Sequence, residues 1–210
     1  MSKIDEIYKA VETGKTKIVA GLVQEAIAEG IEPLRILNEG MIDAMACVGE
    51  KFQRSEIFVP EMLVAAKAMK TGVEVLKPLL GKTDVASHGK CIIGTVHGDL
   101  HDIGKNLVAL MIESAGFEVI DLGVDVPIET FVNSIKENPD ARIVGLSCLL
   151  TTTMQALKET AGALKSSGLT GFKLIVGGAP VTQEFADQIG ADGFSPDAAG
   201  AATLAKQLVA

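Results

Sequence analysis

The chain of 210 residues has no tryptophan, one tyrosine and three scattered cysteines, Cys47, Cys91 and Cys148. Cysteines so few and so far apart form neither a disulfide framework nor the paired spacing of a zinc site, so we expect a protein of the reducing cytoplasm. The longest apolar stretches, 143–150 and 174–181, fall well short of the ~20 residues that a membrane-spanning helix needs. The sequence therefore excludes membrane insertion, and acidic residues near its start argue against a signal peptide.

A basic cluster is also missing. The chain has 27 acidic and 19 basic residues, for a net charge of -8, and such a field repels phosphate backbones. Nucleic acid is therefore not an expected partner. What the sequence does have is an apolar fraction of 48% in a chain long enough to bury a core without disulfides, which predicts one or two globular domains.

Helical periodicity runs through the first ~80 residues. After Pro33, apolar residues at Met41, Met45, Val48 and Phe52 share one helical face, and a second stripe follows Pro60. The segments 4–11 and 15–28 also have the pattern of helices, so the sequence predicts an antiparallel four-helix bundle over residues 1–82. The periodicity then disappears, and Gly, Ser and Asp mark a linker at 83–90.

From residue 91 onward, short apolar runs alternate with helical stretches. The predicted strands are 91–96, 117–122, 142–149, 172–176 and a weak one at 192–195, and the predicted helices are 104–114, 128–138, 151–166, 182–189 and 198–209. This alternation predicts a flavodoxin-like, Rossmann-like domain over 91–210, with a five-stranded parallel sheet covered on both faces. Ligands of such sheets bind at the carboxyl ends of the strands, so the loops there are the places to look for chemistry.

The loop after the first predicted strand contains two His and two Asp in the six positions 97–102. A two-metal hydrolytic centre would need further ligands, and the only other histidine is His88 in the predicted linker. Phosphate or flavin binding is poorly supported, since the loop has no glycine-rich phosphate motif and its carboxylates would repel a phosphate. The remaining interpretation is a single histidine ligand of a metal.

In that interpretation, the other ring nitrogen of the ligand is held by a carboxylate. Asp99 lies two residues before His101, so on an extended loop both side chains can point the same way and make this contact. Gly104 would let the following helix begin close to a bulky flat cofactor, because it has no side chain to obstruct one.

At these residues the sequence resembles the cobalamin-binding module with the motifs D-x-H-x-x-G, S-x-L and G-G. The motifs stand here at 99–104, at 147–149 and at 177–178, each at the end of a predicted strand. The helical part is similar to the cap that accompanies this module, with V-G-E-K-F at 48–52 and F-V-P-E at 58–61. The resemblance covers residues 30 to 210 and is to the corrinoid proteins of methyl-transfer systems, which share the cap and the cobalamin-binding module of methionine synthase.

The resemblance implies a set of site residues around bound cobalamin or a related corrinoid. His101 would be the lower axial ligand of cobalt, with Asp99 and then Thr153 completing a hydrogen-bonded relay. The other residues that it implies for cofactor contact are Gly98 and Asp102 under the corrin, Ser147, Thr151, Gly177, Gly178 and Ala198 along the slot for the nucleotide tail, Phe52 and Val59 of the cap over the reactive face, and also Leu100, Leu149 and Gly104. Cys91 and Cys148 are interpreted as buried apolar side chains.

The function that the resemblance implies is carriage of a methyl group in one-carbon metabolism, with cobalt alternating between cob(I)alamin and methylcobalamin. Such a protein is a subunit without catalysis of its own. The implied partners are a substrate-specific methyltransferase, a second methyltransferase that delivers to coenzyme M or tetrahydrofolate, and a reductive activase. The alternatives are a cobalamin-dependent sensor and the cobalamin subunit of a radical mutase. The sequence does not identify the methyl donor.

Overall fold

A computed structural model describes residues 2–80 and 88–210. The chain forms two compact units, one of Met1–Ser87 with Ser114–Gly116 and one of His88–Glu113 with Phe117–Ala210. Residues 81–87, which include the end of the predicted cap and most of the predicted linker, lie outside the described residues. The last residue of the predicted linker, Lys90, is the first residue of a strand.

The first unit is helical, as predicted. Its elements are α1 (Lys3–Glu12), α2 (Thr16–Ala28), α3 (Pro33–Arg35), a π-helical stretch (Ile36–Ile42), α4 (Asp43–Gln53) and α5 (Val59–Leu76). The helix expected after Pro33 is therefore not one α-helix, because the π-helical stretch separates α3 from α4. The predicted apolar stripe still faces the core, since Met41, Met45 and Val48 are all buried.

The second unit alternates strands and helices. Its elements are β1 (Lys90–Thr95), α6 (Ile103–Ser114), β2 (Glu118–Asp121), α7 (Ile128–Glu137), β3 (Ala141–Ser147), a 3-10 turn (Thr151–Thr153), α8 (Met154–Ser166), β4 (Lys173–Gly177), α9 (Gln183–Ile189), β5 (Gly193–Phe194) and α10 (Ala198–Val209). All neighbouring strands pair in parallel, in the order β2-β1-β3-β4-β5. This is the strand order of the flavodoxin-like fold, as predicted.

The centre of the sheet is buried because helices cover both of its faces. β1 is buried from Cys91 to Thr95, whereas the edge strand β2 begins and ends with exposed residues. Gly94 of β1 shows how closely one helix packs there, since a Cβ at this position would lie 2.8 Å from Cζ of the buried Phe131 on α7. None of the helices in the described part of the chain has the length and apolar character needed to cross a bilayer.

The strand order reverses between β1 and β3. From β1 the chain continues to β2 on one side, while β3 pairs with the other side of β1. The loops that follow these two central strands therefore leave the same edge of the sheet next to each other, and the Val96 N–H donates to the Ser147 carbonyl at 3.0 Å. In open α/β sheets this point of reversal is the usual place for a ligand.

Candidate functional site

Asp99, in the loop after β1, is a carboxylate with no exposed surface. Its Oδ1 accepts the His101 backbone N–H at 3.1 Å and a ring nitrogen of the same residue at 2.7 Å. Its Oδ2 accepts three donors from the segment after β3: the N–H groups of Leu149 and Leu150 at 2.7 and 3.3 Å, and the Thr153 hydroxyl at 2.8 Å. Asp99 therefore joins the two loops at the reversal point.

The pKa of Asp99 results from two opposed effects. Burial alone would raise it, because the charged form loses its hydration. The hydrogen bonds from Leu149 N–H, His101 N–H, the Thr153 hydroxyl and the His101 ring outweigh burial and hold the pKa well below its ordinary range. Asp99 is thus a carboxylate at neutral pH and can only accept hydrogen bonds.

His101 is oriented on one side and open on the other. Because an ionised carboxylate only accepts, the ring nitrogen 2.7 Å from Asp99, Nδ1, carries the proton and donates it. In the neutral imidazole Nε2 then carries the lone pair, and half of the side chain, 50%, is exposed. The backbone is fixed as well, since the buried Thr95 hydroxyl donates to the His101 carbonyl at 2.8 Å. An imidazole oriented in this way can coordinate a metal through Nε2.

Large apolar side chains surround His101 and point into solvent. Leu100 and Ile103 are 72% and 86% exposed, and Leu149 and Leu150 are also exposed. In the described part of the second unit, these four are the only large apolar side chains that are exposed. An apolar surface concentrated in two adjoining loops is typical of a ligand-binding face.

Gly98, just before the D-x-H-x-x-G motif, and Gly104, its last residue, differ in whether the backbone conformation requires a glycine. Gly98 has φ +82°, a left-handed conformation that other residues seldom adopt. Gly104 has no such constraint, and a Cβ built there would have no neighbour within 4 Å. Since no packing within the chain requires a glycine at 104, the expectation that it leaves room for a bound group stays a consistent prediction.

Close backbone contacts, which the sequence did not predict, restrict side chains at the glycine pair 177–178. A Cβ on Gly178, which has φ +128°, would lie 1.7 Å from the Cys148 carbonyl oxygen, and one on Gly177 would lie 3.3 Å from the Ser195 carbonyl oxygen. Backbone segments therefore approach each other closely here, and Gly178 cannot take a side chain without a shift of the backbone. The place of both glycines along a slot for the nucleotide tail stays a prediction.

The other predicted slot residues lie around the same edge of the sheet. Ser147 ends β3, and Thr151 is exposed in the 3-10 turn that also contains the buried Thr153. Ala198 is buried as the first residue of α10, after the loop that follows β5. Asp102, which was predicted to lie under the corrin, is exposed and accepts from the Asn106 side chain at 3.1 Å. Their contact with a cofactor stays a prediction.

The two cysteines of this unit are buried, as predicted. Burial raises the pKa of Cys91 to about 12 and that of Cys148 to about 11. Both are therefore protonated thiols at neutral pH, which are poor metal ligands.

Phe52 and Val59 belong to the helical unit. Phe52 is half-buried near the end of α4, and Val59 is exposed as the first residue of α5, next to the more exposed Phe58. The two residues thus flank one turn of the bundle. Their predicted place over the reactive face of a cofactor stays a prediction.

Sequence reasoning missed three contributors to the site. Thr95, whose hydroxyl donates to the His101 carbonyl, is the first of them. Asp125, after β2, accepts the Gly98 N–H at 2.7 Å. Lys105, in the first turn of α6, is buried and donates to Asp121 at the end of β2 at 2.7 Å. A lysine in a first turn opposes the helix dipole, and that unusual placement was the signal in the sequence for a partner carboxylate.

The side chains at the site suit a metal ion that is already bound by ligands of a cofactor. Across residues 2–80 and 88–210, no group of three or more His, Cys, Asp or Glu is placed to hold a metal ion. An oriented imidazole beside exposed apolar side chains is suited to a metal that is already held by another group, such as a corrin ring. His101 is the residue that would hold such a metal.

The fold, the loop at the reversal point and the His101 imidazole held by a buried carboxylate define a protein that binds vitamin B12 or a related corrinoid. A family model described as B12 binding domain matches residues 89–203, and a second model with the same description matches residues 3–77. The chain belongs to the corrinoid proteins, a B12-binding family whose members serve methyltransferase systems.

Individual relatives match over almost the whole chain. Dimethylamine corrinoid protein 1 of Methanosarcina acetivorans is 43% identical over 99% of this chain and 97% of its own length. A solved cobalamin-binding protein from Desulfitobacterium hafniense is 34% identical, with a TM-score of 0.80 over 99% of this chain and 98% of its own. A chain of the methanol:cobalamin methyltransferase complex from Methanosarcina barkeri is 31% identical, with a TM-score of 0.86 over 99% of this chain and 79% of its own.

Two glycine-to-alanine substitutions should change the stability in opposite directions. Gly178→Ala forces a Cβ against the Cys148 carbonyl at a left-handed φ, so we expect a loss of about 3 kcal/mol or more in the free energy of unfolding. The matched control, Gly162→Ala, lies on the exposed face of α8 with open space around it, and should gain about 0.5–1 kcal/mol. Guanidinium chloride unfolding followed by circular dichroism measures both, and a neutral Gly178→Ala would contradict the close approach.

Replacing Asp99 should be costly at neutral pH and less so in acid. Asp99→Asn places an amide where three donors now meet a carboxylate, so we expect a loss of about 3 kcal/mol in unfolding free energy at pH 7. Because the folded pKa lies below the ordinary value of 3.8, the carboxylate's contribution is complete above that value and declines as the pH falls through it. The difference between the wild type and Asp99→Asn should therefore shrink below pH 4.

The neighbouring Asp102→Asn is the matched control for this experiment. Asp102 is exposed and accepts a side-chain hydrogen bond only from Asn106, so its replacement should change the unfolding free energy by less than about 0.5 kcal/mol. Unfolding curves of the three proteins at pH 7 and at pH 3.5 provide the comparison. A constant difference between the wild type and Asp99→Asn at both pH values would contradict the assigned ionisation.

Proposed function

We propose that this chain carries a methyl group on the cobalt of a bound corrinoid between two methyltransferases. One partner would load the group from a small methylated substrate, and the other would deliver it to coenzyme M or tetrahydrofolate. The observation that supports this most directly is the His101 ring, which is held at Nδ1 by a buried carboxylate and free at Nε2. When bound, the corrinoid supplies a cobalt that takes up and gives up the methyl group.

The protein's part is to hold and orient. His101 would be the axial ligand from below, and Asp99 and Thr153 would fix its tautomer and ring orientation through their hydrogen bonds of 2.7 and 2.8 Å. Leu100 and Leu149 would lie against the underside of the corrin with Gly98, Asp102 and Gly104, because their exposed surface is then removed from water. The slot for the nucleotide tail would run past Ser147, Thr151, Gly177, Gly178 and Ala198.

The similar proteins support a role as carrier but differ in the methyl donor. One is a dimethylamine corrinoid protein, and another is solved within a methanol:cobalamin methyltransferase complex. For this chain we therefore propose a substrate-specific methyltransferase as the loading partner and leave the donor to that enzyme. A reductive activase that restores oxidised cobalt is a further proposed partner, and the cytoplasm is the proposed location.

His101→Ala should abolish the axial nitrogen. When the wild type, labelled with 15N-histidine, is reconstituted with hydroxocobalamin and reduced to cob(II)alamin, its EPR spectrum should show the twofold splitting of one coordinated 15N, whereas the cofactor's own benzimidazole nitrogen would give a threefold splitting. In His101→Ala the twofold splitting should be lost, and methyl transfer should fall by at least about 10-fold, because the loss of a ligand costs at least as much as the loss of a residue behind it. His88→Ala is the matched control, since His88 precedes β1 at the opposite end of that strand and stacks on Phe117.

The same samples separate the proposed function from its alternatives. A carrier should bind methylcobalamin and hydroxocobalamin at least as well as adenosylcobalamin, and should accept a methyl group in the presence of a loading methyltransferase. Preference for the adenosyl form would indicate a mutase subunit, and association that changes with light would indicate a sensor. Splitting that persists in His101→Ala would contradict the assigned ligand.

A further inference from the structure

The chain after β2 leaves the sheet and returns to it. The Thr95 N–H donates to the Gly123 carbonyl at 3.0 Å, and the Thr95 carbonyl accepts the Val126 N–H at 3.0 Å. Val96 and Val126 then form a parallel bridge. The two residues between these bonds, Val124 and Asp125, have no place in the pairing, so they protrude beside the loop that carries His101.

Asp125 makes three contacts with that loop. Its Oδ1 accepts the Gly98 N–H at 2.7 Å and lies 2.7 Å from Nδ1 of His97. Its own N–H donates to the Asp99 carbonyl at 2.9 Å. Asp125 alone therefore contacts three consecutive residues, 97–99, of the loop after β1.

The backbone of Asp125 has an unfavourable conformation. Its φ is +51°, and among the described residues other than glycine only Ser55, in the helical unit, also has a positive φ. The left-handed region costs about 1 kcal/mol or more, although Asp and Asn tolerate it best. Such a conformation persists when surrounding contacts outweigh its cost, and here those contacts are the three to the loop after β1.

We propose that Asp125 is a positioning residue for the His101 ligand. Asp99 ties the loop to the segment after β3, and Asp125 ties it to the segment after β2 from the opposite side. The two carboxylates together fix the height and tilt at which the loop presents the free Nε2. This inference rests on the proposed function for its consequence at the metal, while the contacts themselves belong to the chain alone.

The charge of Asp125 agrees with this role. The hydrogen bond from the Gly98 N–H holds the pKa of Asp125 below its ordinary range, and the nearby His97 acts in the same direction. The carboxylate is therefore ionised at neutral pH, and its hydrogen bonds are of the stronger, charge-assisted kind.

Two substitutions separate the carboxylate from the backbone conformation. Asp125→Gly removes the carboxylate that accepts the Gly98 N–H and contacts His97, and it relieves the strain at φ +51°, so we expect the variant to fold. Asp125→Asn keeps the tolerance for the left-handed conformation and one oxygen acceptor, and removes the charge. Asp140→Asn is the matched control, because Asp140 is an exposed aspartate whose partner, Lys90, lies at the other end of β1.

Amide hydrogen exchange of the cofactor-free protein gives the first measurement. The His101 N–H is bound to Asp99 and not to Asp125, so its exchange rate reports the position of the whole loop. We expect its exchange to be about tenfold faster in Asp125→Gly, intermediate in Asp125→Asn and unchanged in Asp140→Asn. An unchanged His101 rate in Asp125→Gly would overturn the proposal. If Asp125→Gly does not fold, the comparison of Asp125→Asn with the wild type decides in the same way.

The EPR spectrum of the cob(II)alamin-loaded protein gives the second measurement. In Asp125→Gly the ratio of nitrogen-coordinated to uncoordinated cobalt should fall about tenfold, as is typical when a residue behind a metal ligand is removed. Full coordination in Asp125→Gly would overturn the positioning role at the metal. An uncoordinated wild type would instead contradict the proposed function, and hydrogen exchange would still decide whether Asp125 positions the loop.

Discussion

A carboxylate buried without solvent must find hydrogen-bond donors, and the candidate site is arranged to provide them for Asp99. The ring and N–H of His101 satisfy one oxygen, and the segment after β3 satisfies the other. Leaving such a charge unsatisfied would cost several kcal/mol, so the two loops are held together by the same bonds that orient the imidazole. Stability of the loops and geometry of the ligand therefore have one physical origin.

Most of the fold could be predicted from the sequence because its determinants are local. Apolar runs bounded by turn residues located all five strands, and even β5, which has two residues, lies within its weak predicted segment. One central contact of the site was predictable as well. A spacing of two residues predicted the Asp99–His101 contact, and the structure has it at 2.7 Å, whereas the relay through Thr153 depended on the resemblance.

What the sequence did not reveal depends on neighbours in space. Asp125 contacts the loop after β1 only because β2 pairs with β1, and Lys105 is neutralised by Asp121 for the same reason. The close approach at Gly178 was not predicted either, since a Cβ there would meet the Cys148 backbone just after β3, and no local pattern shows how closely two segments approach beyond the ends of their strands. The π-helical stretch Ile36–Ile42 has no explanation in the pattern of apolar residues.

The Thr95–His101 hydrogen bond has a consequence for the evolution of such proteins. It engages the carbonyl of residue 101, and Asp99 engages its N–H, so the path of the chain there is fixed through main-chain atoms. The side chain at position 101 can therefore change while the backbone of the loop keeps its path. Successive proteins built on this scaffold can exchange the atom offered to a metal, and with it the electronic character of the metal, while inheriting the same sheet.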